Sequence, residues 1–225
     1  MNAALLLLAD SRLPAGGHGH SGGAEEAVRI GAIHDLVGLA AFLRGRLATA
    51  GLVTAALAAA ACDLGTSPPV ETCRSEWTRL DAEADARISS PAQREASRTQ
   101  GRLLLRTSRR IWPSPVLDTL AGALPQGAHH PLALGAVAAS AGCSPAEAAL
   151  AAAYTSVTGP ATAAVRLLGL DPVAVHRLLA DLAPALERVA ATVPADWEAL
   201  PAHASPALDL LAEHHIRADL RLFVS

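Results

Sequence analysis

Ser144-Pro145-Ala146-Glu147, running on into Ala148-Ala149-Leu150-Ala151-Ala152-Ala153, decides the fold class of this chain. A serine followed three residues later by glutamate forms a capping box, and proline at the first helical position lacks only an N–H that has no helical partner there. Ser90-Pro91-Ala92-Gln93 repeats the pattern, and Asp171-Pro172 and Ser205-Pro206 give weaker versions of it. Around these starts the composition is 51% hydrophobic but only 3% aromatic, with alanine and leucine supplying most of the apolar mass. Both are strong helix formers, and no segment alternates with period two between hairpin turns. The expectation is an all-α protein: a single domain over residues 1–225, a bundle of about ten helices. Further helices are expected over residues 3–9, 23–31, 35–62, 71–87, 115–124 and 131–141. The third should break near Gly51, and Pro184 should kink or divide the helix that begins at Pro172. Gly65 to Pro69 and Trp112 to Pro115 read as turns.

Composition excludes several functions. All 18 basic residues are arginine, so there is no lysine for a phosphate-binding P-loop or for Schiff-base chemistry. A net charge of −3 argues against a general nucleic-acid binder. Cys62, Cys73 and Cys143 are odd in number and far apart, which suits a reducing cytoplasm better than a disulfide framework. The opening MNAALLLLAD has no basic residue before its apolar run and is too short to cross a bilayer. Ala148 to Val165 is uncharged, but Gly159-Pro160 should break it, so it reads as buried helix and not as membrane.

The most distinctive stretch is Asp10-Ser11-Arg12-Leu13-Pro14-Ala15-Gly16-Gly17-His18-Gly19-His20-Ser21-Gly22-Gly23-Ala24-Glu25-Glu26, with five glycines from Gly16 to Gly23. Glu25 and Glu26 fall in the first turn of the next helix, where they complement its dipole. Three chemistries compete for this loop. Gly17 to Gly22 matches the glycine spacing of a dinucleotide fingerprint, which must follow a strand, and none is expected here. Gly19-His20-Ser21-Gly22-Gly23 matches the nucleophile elbow of serine hydrolases, which also needs a strand and a central sheet; this is the rival enzymatic reading. His18 and His20, with the pairs His129-His130 and His214-His215, suit nickel or zinc, but a stable site needs three or four converging ligands. A recognition loop on a rigid scaffold fits the glycine content better than a simple connector does.

Asp10 to Gly17 together with His20 to Glu25 resembles the opening signature of the urease accessory protein UreF family. Three later segments agree in order: Arg94 to Leu104, then His129-His130-Pro131-Leu132-Ala133-Leu134-Gly135 with Ala141-Gly142, and the ending Arg221-Leu222-Phe223-Val224-Ser225. His18 stands where the family usually has an aromatic residue, and Ala24 where it has leucine. The resemblance implies an all-α homodimer that is not itself an enzyme. It implies binding to the accessory protein UreD/UreH, recruitment or regulation of the GTPase UreG, and nickel delivery to apo-urease, with no stably bound cofactor. Partner-docking residues are then expected at Gly16, Gly17, His18, His20, Ser21 and Glu25 in the loop. Arg221, Leu222 and Phe223 are expected to serve in the tail, with Leu222 and Phe223 offered to a partner. His18 and His20 are also candidates for transient contact with nickel. Deleting Arg221 to Ser225 is expected to spare the helical fold and abolish capture of the GTPase. An unrelated helical scaffold sharing the loop is the remaining alternative.

Overall fold

The computed structural model describes residues 2–67, 74–194 and 199–225, and among these every regular element is helical. In chain order the α-helices are α1 (Ala3–Ala9), α2 (Ala24–Arg29), α3 (Leu36–Arg46), α4 (Leu52–Thr66), α5 (Arg74–Arg87), α6 (Pro91–Ile111), α7 (Pro115–Ala123), α8 (His130–Ser140), α9 (Pro145–Leu168), α10 (Pro172–Ala191) and α11 (Pro206–His215). The expected starts hold. Ser144 and Glu147 form the full capping box on α9, Ser90 caps α6 by accepting from the Gln93 amide, and Asp171 caps α10. The beginning of the helix expected at 71–87 lies outside the described residues, which resume at Arg74, the first residue of α5.

At the centre lies α4, packed against α8 and α9. Five of the eight buried residues of α4 are alanine (Ala55, Ala56, Ala58, Ala59, Ala61), and α8 answers with Ala133, Gly135, Ala136 and Ala138. Side chains this small let the two backbones approach closely. An ideal Cβ on Gly135 would lie only 2.2 Å from the Ala58 carbonyl oxygen.

Three breaks expected from sequence are absent, each for a physical reason. At Gly51, α3 and α4 form one rod from Leu36 to Thr66 through a single π turn at Leu47–Gly51, which absorbs one residue without ending the helix. The turn expected from Gly65 does begin there: Gly65 fits beside Ala139 of α8 in the last turn of α4, which stops at Thr66 with Ser67 extended; the rest of that turn lies outside the described residues. Pro184 sits on the exposed face of α10, where water can take the carbonyl that the proline frees at Ala180. Gly159-Pro160 does not interrupt α9 either. Pro160 leaves the Ser156 carbonyl without its helical donor, and the Arg46 Nε donates to that oxygen at 2.8 Å. The Leu36–Thr66 rod is long and apolar enough to cross a membrane, yet 56% of its most apolar window is buried against other helices, as in the core of a soluble protein.

Candidate docking site

The glycine loop is shaped by its own sequence before anything touches it. Asp10 accepts from the Arg12 amide and pairs with the Arg12 guanidinium at 2.7 Å, turning the chain out of α1. Gly22 and Gly23 both take left-handed backbone conformations (φ +60° and +90°), and Gly23 forms the N-cap of α2. The Arg46 guanidinium donates to the Gly22 carbonyl at 2.8 Å, so the cation that repairs the proline gap in α9 also anchors the loop. Burial lowers the pKa of Arg46 to about 10.

The C-terminal tail lies across this loop. The Val224 amide donates to the Gly19 carbonyl at 2.7 Å, and the Ser21 amide to the main-chain oxygen of Ser225 at 2.5 Å. His20 Nδ1 meets the Ser225 hydroxyl at 2.6 Å. Glu25 receives the Leu222 amide on Oε1 at 2.6 Å and the Phe223 amide on Oε2 at 3.0 Å. One carboxylate therefore holds two consecutive backbone donors, a charge-assisted arrangement that is stronger than two neutral bonds. Phe223 is 5% exposed, with Arg166 stacked 5.0 Å from its ring centroid and its carbonyl facing His215 Nε2 at 3.3 Å.

The residues singled out from sequence fall into two groups. Gly16, Gly17, His18, Arg221 and Leu222 form an exposed outer edge, joined by Leu220 and Val224. His20, Ser21 and Phe223 are buried and Glu25 is half-buried; they form the inner clasp. The apolar pair expected to face a partner is thus divided. Leu222 is 56% exposed, whereas Phe223 docks into this chain, because its ring fills a hollow and its amide is already taken by Glu25. Because Phe223 is part of the core, removing the tail is expected to lower stability as well as capture of a partner. His18 and His20 do not meet a third histidine, cysteine or carboxylate ligand among the described residues.

Both strand-dependent readings of the loop fail on the same ground. No strand exists among the described residues, and Ser21 is wholly buried with its hydroxyl accepting from the Glu25 amide at 3.3 Å. A nucleophilic serine must reach substrate.

Sequence reasoning missed Arg46 and Arg166, it took His215 only as half of a metal-suited pair, and it named Arg98 only within the Arg94 to Leu104 segment. Arg98 instead bridges Asp81 at 2.9 Å and Asp85 at 2.7 Å, while His129 Nε2 meets Asp85 at 2.8 Å. Asp81, Asp85 and His129 have metal-ligand spacing, but the Arg98 guanidinium already occupies the space between them, pairing with both carboxylates. The spacing of Asp81 and Asp85 on α5 was the only available signal.

Burial pushes three histidines below their usual value: His20, His129 (where Asp85 opposes the shift) and His130, which falls to about 4 with a further push from His20. An unfolded histidine titrates near pH 6.5. Between pH 6.5 and about 4 the unfolded chain therefore binds protons that the folded chain refuses, so stability falls as pH falls. In urea titrations across that window, His130→Asn is expected to flatten the slope of stability against pH. An unchanged slope would show that His130 is not kept neutral by burial.

What the fold and clasp define is an all-helical protein with a glycine loop held in one shape by its own C-terminal segment. Comparison with known proteins makes this specific. The UreF family model matches residues 33–183. The chain is 46% identical over 223 residues to the urease accessory protein UreF of Mycolicibacterium vanbaalenii, covering 99% of this chain and 98% of that protein. It is 47% identical to the UreF of Mycobacterium sp. (strain JLS), covering 98% and 97%, and 42% identical to that of Mycobacterium tuberculosis, covering 99% and 98%. The chain belongs to the UreF family of urease accessory proteins: it serves urease and is not a catalyst itself.

Proposed function

We propose that this protein helps assemble the nickel centre of urease, binding accessory protein UreD/UreH and recruiting or regulating the GTPase UreG on apo-urease. It acts in the cytoplasm as a homodimer that folds as one unit, and it holds no cofactor of its own; nickel is cargo handled by the complex. The observation that carries this reading is the clasp. The two segments picked out by sequence, at opposite ends of the chain, form one continuous surface whose outer edge is free. Exposed apolar side chains gathered at one place usually mark a protein contact. Here Leu220, Leu222 and Val224 are 92%, 56% and 64% exposed, with Arg221 between them. A guanidinium fork there suits a partner's carboxylates.

The test is a pull-down of UreD/UreH and UreG by this protein, with the nickel content of urease measured with and without it. Capture of both partners and nickel-loaded urease only in its presence are expected; loading that proceeds equally without it would refute the reading. His18, exposed where His20 is buried, is the side chain of the pair available to touch cargo. His18→Ala is expected to slow urease activation while leaving the complex intact, and full activation would leave His18 outside nickel handling.

A further inference from the structure

Away from the clasp, the C-terminal half of α6, α7 and the turn that follows α7 frame an open groove of about 510 Å³. Its floor is apolar, formed by Leu105, Ala121, Leu124 and Pro125, and its rim carries Arg102, Arg106, Arg109 and Arg110 against a single acid, Asp118. Two of these cations are satisfied within the chain. Arg109 pairs with Asp118 at 2.6 Å, and Arg102 pairs with Glu95 and donates to the Gln126 carbonyl. Arg106 and Arg110 are exposed and have no carboxylate within ion-pair distance among the described residues. The dipole of α6 accounts for basic residues in its last turn, which are Arg109 and Arg110; Arg106 lies a turn earlier, beyond that explanation. One face of a chain with net charge −3 thus concentrates uncompensated positive charge around an apolar floor.

We propose that this groove docks an acidic polypeptide segment, one whose Asp or Glu side chains alternate with aliphatic ones. The carboxylates would meet Arg106 and Arg110 while the aliphatic groups cover Leu105 and Leu124. The floor separates this occupant from nucleic acid, because among the described residues no aromatic side chain lines the groove to stack on bases. The openness of the groove to solvent and its spread over two helices favour an extended segment over a small anion, which would need a closed, converging site. The site is independent of the urease reading: it rests on α6 and α7 and shares no residue with the clasp.

The probe is a fluorescein-labelled peptide of repeating Glu-Leu, followed by anisotropy against the full-length protein. Saturable binding that weakens with salt is expected, and Arg106→Glu/Arg110→Glu should reduce affinity by about tenfold or more with an unchanged helical signal. Arg106→Gln/Arg110→Gln should give a smaller loss in the same direction. Equal binding by oligo-glutamate without leucine would overturn the proposal by removing the floor from recognition, and tighter binding of single-stranded RNA would overturn it in favour of a nucleic acid. Absence of peptide binding by the parent protein would also end it. So would a double variant that loses self-association but binds peptide as before, since the groove would then belong to a second copy of the chain.

Discussion

Gly135→Ala should melt well below the parent protein, although alanine is the better helix former by about 1 kcal/mol. The added methyl would sit 2.2 Å from the Ala58 carbonyl oxygen, 2.6 Å from the Ala61 Cβ and 2.9 Å from the Cys62 amide nitrogen. Backbone cannot rotate aside as a long side chain can, so α4 and α8 must move apart along the most extensive helix contact in the molecule. Overpacking of this kind costs about 3 kcal/mol or more. In a chain of this size that corresponds to roughly 6–12 °C in Tm. Gly45, exposed in the last turn of α3, where the helical rod runs on toward α4, and with open space around it, is the control. Gly45→Ala should raise stability by up to about 1 kcal/mol. Thermal melts of the two variants decide the matter, and a Gly135→Ala protein as stable as its parent would mean that α4 and α8 do not cross so closely.

The second large effect separates two neighbours in the tail. Phe223→Ala empties a buried hollow under Arg166 and should cost about 3–5 kcal/mol, the usual range for a core phenylalanine. Leu222→Ala removes an exposed side chain and should change stability by no more than about 0.5 kcal/mol. Partner capture should show the reverse selectivity per folded molecule, with Leu222→Ala reducing it while the fold is intact. Glu25→Gln should fall between them: its amide can still accept one hydrogen bond, but the charge that held two backbone donors is lost. Chemical denaturation and pull-down on the same three proteins read both quantities. Equal stability of the Leu222 and Phe223 variants would show that the ring does not dock.

Local signals carried most of what was legible in the sequence. Helix starts were readable because a capping serine, a proline and a glutamate act within a single turn, and they fell where Ser90, Ser144, Asp171 and Ser205 placed them. Helix interruptions were less legible: whether Pro160 breaks a helix depends on what distant Arg46 supplies, and Gly51 is carried through by a π turn that no residue pattern announces. The glycine loop and the tail were each visible, but their union was not. Pairing of Glu25 with the amides of residues 222 and 223 is a long-range fact with no local signature, and the same holds for Arg98 between Asp81 and Asp85. Burial separated residues that the sequence had grouped together, sending His20 and Phe223 inward and leaving His18 and Leu222 outside.

The repair of α9 by Arg46 ties the histories of two distant positions together. An alanine at 160 would return an amide to the Ser156 carbonyl and compete with the guanidinium for the same lone pairs, leaving a sunken cation short of an acceptor. An uncharged residue at 46 would strand that carbonyl and at the same time let go of Gly22. Drift at either position is therefore checked by the other, and homologues that have lost the proline should have replaced the arginine as well.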